Sequence, residues 1–298
     1  MVVCLEEWCT EQCDGRMLKN NAKNENAAAV HPVTSCKCYF SCLEFEAESS
    51  KKRMDFSGKV AIVTGGSQGI GRALVSSLLN SGMKVCICDI DENAAKAFID
   101  ILSSSQKENV IFQQCDVTSF DSFKAAFDRL ISSFGRIDLV VNNAGLHDEI
   151  NWRKVVDVNI VGVINGTKLG FEYMDIRKTS RGGDIINMAS IAGLSAPALH
   201  PVYSATKHAV VGLTKCYGSD YHLERTSVRV NAVCPTLAST NLQMNINSHS
   251  LDEGESTRLL ANVKILETED VAKALMQLLQ DGKNGSLLRV DPTGTSYV

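Results

Sequence analysis

Residues 58–71, GKVAIVTGGSQGIG, decide the fold. Val60–Val63 is a short, mostly β-branched apolar run that ends at Thr64 and Gly65, and the helical pattern IGRALVSSLLNSG follows. A strand that is apolar on both sides is one covered on both faces, as in a parallel sheet. Gly65, Gly69 and Gly71 let the chain turn tightly and bring its backbone close to a ligand, and the next helix offers its N-terminal N–H groups and positive dipole end there. Gly65, Ser67, Gln68, Gly69, Ile70 and Gly71 are therefore candidates to hold a pyrophosphate. A glycine-rich turn with no ligand would use the same glycines, so the surroundings must decide.

Outward from this turn the alternation repeats. KVCICDI (84–90), NVIFQQCDV (109–117) and IDLVVNNAG (137–145) read as strands, with amphipathic stretches NAAKAFIDILSSS and FKAAFDRLISSFG between them. The pattern predicts one doubly wound α/β Rossmann domain, a parallel sheet of about seven strands with helices on both faces. Asp89 ends the second strand, 18 residues past Gly71. An acid there accepts hydrogen bonds from both ribose hydroxyls of an adenosine and repels a 2′-phosphate, which favours NAD over NADP. Asp91 lies beyond the strand end and is a decoy on this reading.

Composition narrows the class. The 298 residues carry a net charge of −4, which gives no electrostatic reason to bind nucleic acid or an anionic membrane. No apolar run approaches the ~20 residues needed to span a bilayer, and the acidic N-terminus suits neither a signal peptide nor a presequence. A cytoplasmic protein without stable membrane insertion is expected. Six of the eleven cysteines fall within the first 42 residues, at spacings that match no common zinc pattern, and no metal site is expected. Residues 1–53 read as a cysteine-rich, disordered extension and 54–298 as the domain. Cys86, Cys88, Cys115, Cys216 and Cys234 are expected to act as small buried hydrophobes.

Tyr203 and Lys207 lie one helical turn apart in PVYSATKHAVVG, and Ser190 stands 13 residues before Tyr203. Alone, a Tyr-x-x-x-Lys pair is only two amphipathic side chains on a helix. Together with TGxxxGxG, the acid at 89, CDV (115–117), NNAG (142–145) and MAS (188–190), in that order, the pair makes roughly residues 55–298 resemble the short-chain dehydrogenases/reductases. The resemblance implies a hydride passed between a secondary alcohol and NAD. A tyrosine is a poor base at its usual pKa near ~10. In this family the ammonium of Lys207 and the nicotinamide charge would lower Tyr203, Ser190 would hold the substrate oxygen, and Asn159 would order a water linking Lys207 to solvent.

The same resemblance places Asp116 and Val117 at the adenine and Asn142 with Asn143, Ala144 and Gly145 beside the cofactor. Tyr203, Lys207, Pro235 and Thr240 would also touch it. The likeness is strongest to members acting on a lipid-like alcohol of the 15-hydroxyprostaglandin type, with steroid, terpenoid or small-alcohol enzymes as alternatives and an inactive dinucleotide sensor as a different class. The departures cluster where substrate binds: His200 stands for a glutamine, Leu237 for a phenylalanine, and Pro235-Thr236 for Pro-Gly. His200 either lines the substrate mouth or faces solvent; His147 and His208 read as solvent-facing. The resemblance also implies a homodimer or homotetramer, paired through the helices near 152–174 and 203–220.

Overall fold

Alternate residues of strand β1 (Val60–Thr64) enter different cores. Ala61 and Val63 pack with Leu74, Val75, Leu275 and Leu278. Val60 and Ile62 pack with Phe123, Phe127, Leu169 and Met174 on the other side. Period-two alternation with apolar residues on both sides is what forces helices onto both faces. The structure, a computed structural model, describes residues 55–179, 181–240, 242 and 246–298. The expected boundary at 53/54 and the cysteine-rich segment before it lie outside the described residues.

In chain order follow α1 (Gly69–Asn80), β2 (Lys84–Asp89), α2 (Glu92–Asp100), β3 (Val110–Gln114), α3 (Phe120–Phe134) and β4 (Leu139–Asn142). Helix α4 (Trp152–Val156) runs through a π-helical stretch, Asp157–Gly162, into α5 (Val163–Met174). Then come β5 (Gly183–Met188), α6 (Pro201–Tyr217), β6 (Val228–Pro235), α7 (Glu253–Leu260), α8 (Thr268–Asp281), β7 (Leu287–Asp291) and β8 (Gly294–Tyr297).

The sheet order is β3-β2-β1-β4-β5-β6-β7-β8. All pairs are parallel except β7 with β8. The order reverses between β1 and β4, so their carboxyl ends diverge and leave a crevice there. The eighth strand corrects the expectation of about seven. Asp291 pairs with Gly294, leaving Pro292 and Thr293 as a two-residue turn. The turn residues were readable, but β8 is the polar tetrapeptide GTSY and carries no apolar pattern.

Cys86, Cys88, Cys115 and Cys234 are buried as expected, whereas Cys216 is exposed. Helix α6 turns its core stripe inward through Ser204, Lys207, Val210 and Thr214, and Cys216 falls off that stripe. A buried polar chain ties this helix to the sheet. Asn142 Nδ2 donates to Asn187 Oδ1 (2.9 Å), and Asn187 Nδ2 donates to Thr214 Oγ1 (3.0 Å). Buried hydrogen bonds of this kind hold one register among β4, β5 and α6, although Asn142 Oδ1 itself has no partner among the described residues.

Candidate active site

The turn after β1 needs its glycines for two separate reasons. Gly65 and Gly69 take φ of +62° and +50°, which side chains rarely tolerate. Gly71 has no room: a Cβ there would lie 1.9 Å from the Gly65 carbonyl oxygen. Thr64 then joins the turn to the loop after β4. Its hydroxyl accepts from the N–H groups of Asn143 and Ala144, both at 2.9 Å, while Asn143 Nδ2 donates to the Thr64 carbonyl at 2.9 Å. Thr64 belongs to the quoted motif, but its stapling role depends on a partner 79 residues away.

Asp89 Oδ2 accepts from Ser67 N–H (3.0 Å) and Oδ1 from Asp91 N–H (3.1 Å), so the carboxylate braces the glycine turn from behind. Asp91 caps α2, accepting from Ala94 N–H at 2.9 Å. Asp116 is exposed and holds Thr118 N–H and hydroxyl. Val117 is buried against Gly162, and its carbonyl accepts from Asn165. These three acids and Val117 lie at or just after the carboxyl ends of β2 and β3.

The crevice is a cleft of about 450 Å³. Gly65, Gln68, Gly69, Ile70, Gly71, Asn143, Ala144 and Gly145 line it, together with Ser190, His200, Tyr203, Lys207, Pro235, Leu237 and Thr240. The structure thus brings fifteen of the sequence-predicted residues to one cavity wall. Ser67, Asp89, Asp116, Val117 and Asn159 stand outside that wall. Thr240 reaches over the turn, its Cγ2 within 3.1 Å of where a Cβ on Gly69 would be. A dinucleotide fits these residues on the structure's own terms. Ser67 Oγ and Thr236 Oγ1 are buried with no hydrogen-bond partner, one in the glycine turn and one at the cleft, and buried polar atoms in that state call for a ligand or water partner.

Ser190 caps a short turn after β5 and accepts from Ala192 N–H at 3.2 Å. Its hydroxyl also hydrogen-bonds Tyr203, which pulls the phenol pKa down; burial outweighs this and leaves the pKa raised. The expected lowering joins Lys207 to the nicotinamide charge; Lys207 by itself does not bring it about. The reason is geometric. Lys207 Nζ donates to the Met188 carbonyl at 2.8 Å and lies 5.6 Å from the Tyr203 ring centre. Burial also pushes Lys207 down to about 8, a value that still leaves it mostly charged at pH 7.

Asn159 is fully buried in the π-helical stretch, a device that re-aims side chains within helices. Its Oδ1 accepts from Leu146 N–H (2.8 Å), and its Nδ2 donates to Leu146 O (2.9 Å) and Thr206 Oγ1 (3.1 Å). Both ends of the carboxamide are therefore spent on clamping the loop after β4.

That loop holds what the sequence did not disclose. His147 is buried, not solvent-facing, because the loop folds under α6. Its Nε2 lies 2.9 Å from His200 Nδ1, and its ring stands edge-on to Tyr203 at 4.8 Å between centres. His200 is buried too, which decides against its solvent-facing reading. His208 is exposed, as expected. Burial holds His147 down at about 4 and lowers His200 as well, so both imidazoles are neutral at pH 7. Glu149, also buried, accepts from the N–H groups of Tyr203 (2.9 Å) and Val202 (3.0 Å). It caps from outside the helix that carries Tyr203.

The short chain dehydrogenase family matches residues 59–251. The chain belongs to that family. It is 38% identical to the 15-hydroxyprostaglandin dehydrogenase [NAD(+)] of Homo sapiens, over 80% of this chain and 92% of the relative. Identity is 32% to 3beta-hydroxysteroid dehydrogenase 2 of Eggerthella lenta, over 81% and 96%, and 34% to (+)-borneol dehydrogenase 2 of Salvia officinalis, over 80% and 90%. A crystal structure of a short chain dehydrogenase/reductase from Burkholderia phymatum in complex with NAD superposes with a TM-score of 0.70 at 26% identity, covering 80% of this chain and 91% of that one. Among the described residues no helix is long and apolar enough to cross a membrane.

Proposed function

We propose that this short chain dehydrogenase oxidises a secondary alcohol on a lipid-like, 15-hydroxyprostaglandin-type scaffold with NAD, and reduces the corresponding ketone. The observation that carries this reading is the sharing of one cleft by the glycine turn and by Ser190, Tyr203 and Lys207. NAD, when bound, supplies the hydride acceptor. The glycine turn and Thr240 would hold its phosphate end, and Asp89 would take its ribose.

The chain's own groups handle the proton. Ser190 holds the substrate oxygen against Tyr203. Tyr203 takes the hydroxyl proton, and its phenolate needs positive charge close by, because burial alone disfavours it. Lys207 supplies part of that charge and is itself tuned to about 8, inside the working pH range. Asn159 and Glu149 act as positioning residues: one fixes the loop at Leu146, the other the first turn of α6.

The substrate end favours an apolar molecule. Ile191, Pro197, Leu237, Ile246, Leu260 and Val263 line it, with His147 and His200 among the polar groups there. The names of the mammalian relatives support a prostaglandin-type alcohol, and those of the bacterial and plant relatives keep a steroid or terpenoid alcohol as the second reading. A homodimer or homotetramer in the cytoplasm completes the proposal, supported by the exposed Trp152 and Val161 on the α4 side. The test is NADH formation across hydroxy-fatty acids, prostaglandins, sterols, terpenols and short alcohols. Turnover confined to long or cyclic apolar alcohols is expected; turnover only with short alcohols, or with none, refutes it.

A further inference from the structure

His147, Glu149 and His200 offer one ligand atom each within 4.8 Å of one another, and all three side chains are buried. Two ligands on a tetrahedral ion with bonds of ~2.0–2.1 Å sit roughly 3.3 Å apart. His147 Nε2 and His200 Nδ1 are 2.9 Å apart, so the imidazoles need only a small separation to share an ion in place of a proton. Glu149 carries a buried carboxylate with no lysine or arginine partner among the described residues. Each of its oxygens accepts only one N–H, from Val202 or Tyr203, and keeps a free lone pair. A buried anion beside two imidazoles is a setting that a divalent cation would neutralise.

We propose that His147, Glu149 and His200 bind a divalent metal of the zinc type, and that the ion obstructs the alcohol end of the cleft. Two imidazoles and a carboxylate form a recognised zinc donor set, which leaves a fourth position open. His147 and His200 line the cleft, so the open position faces the space beside Tyr203. The metal is a brake on substrate entry, and the glycine turn stays free. The obstruction rests on the dehydrogenase reading; the binding does not.

The test uses the full chain and two readouts. Cobalt(II) substituted for zinc should give the visible bands of a nitrogen/oxygen site, and zinc affinity should fall at least tenfold in His147→Asn and in Glu149→Gln. In turnover, zinc should raise the apparent KM for the alcohol and leave that for NAD unchanged, with a chelator restoring activity. Equal zinc affinity in both variants, or cobalt absorption made up only of thiolate bands from the cysteines, overturns the site. Zinc binding with an unmoved alcohol KM overturns the brake. A chain that binds cobalt at this site yet turns over no alcohol defeats the dehydrogenase reading and leaves the site standing. Should His147→Asn fail to fold by circular dichroism, His200→Gln replaces it with the same expected loss.

Discussion

Replacing Lys207 by methionine should make the protein more stable near pH 7 while stopping turnover. Lys207 is 4% exposed, and burial pushes its pKa from 10.5 to about 8. At ~1.4 kcal/mol per pKa unit, holding the ammonium in that site costs about 3 kcal/mol at neutral pH. Methionine removes the charge at similar length, but leaves the Met188 carbonyl without its 2.8 Å donor. A buried carbonyl so exposed costs ~1–3 kcal/mol. The balance is a gain of about 1 kcal/mol at pH 6.5–7. The sign of the pH dependence follows from proton counting. Between pH 8 and 10.5 the unfolded lysine keeps its proton and the folded one does not, so wild-type stability rises with pH in that window and the variant's advantage disappears. Burial of Cys234 raises its thiol to about 11, which works the other way above pH 9; Lys207 pulls that thiol down, so removing Lys207 pushes it further up in the variant. Urea unfolding at pH 6.5 and 9, at one protein concentration, is the assay. A variant less stable by the same amount at both pH values would refute the claim that Lys207 is held at an electrostatic cost.

Three further outcomes are expected. Tyr203→Phe should lower turnover by ~10²–10⁴-fold, the range for loss of an acid/base group, while NADH binding followed by fluorescence stays intact; normal turnover would remove Tyr203 from the chemistry. Asp89→Ala should cut the preference for NAD over NADP at least ~tenfold, the effect of about 1.4 kcal/mol, and an unchanged kcat/KM ratio would assign the ribose to another group. Gly71→Ala should cost ~1–3 kcal/mol or more, because its Cβ meets the backbone oxygen of Gly65 at 1.9 Å and overpacking against backbone cannot relax by a rotamer change; an unshifted Tm would contradict it.

How far the sequence discloses this site depends on which atoms each part uses. The glycine turn, Asp89, Ser190, Tyr203 and Lys207 sit at the ends of regular elements, so their positions follow from strand and helix periodicity. Once β1, β2, β5 and α6 are placed, those residues must converge at the carboxyl edge of the sheet. His147 and Glu149 sit in the loop after β4, where no period constrains which way a side chain turns. Their partners lie 53 and 54 residues away, at His200 and Tyr203, and only the fold of that loop under α6 shows that they are buried. The direction of the Tyr203 pKa was hidden for a related reason. Spacing places an ammonium one helical turn from the phenol, but not how strongly burial raises the phenol pKa and lowers that of the ammonium. The half of the cleft built from element ends is therefore legible in a linear sequence. The half built from loops, where substrate choice is made, is determined by long-range burial, and there the two histidines, whose exposure a sequence pattern cannot settle, carry the most chemistry not yet assigned.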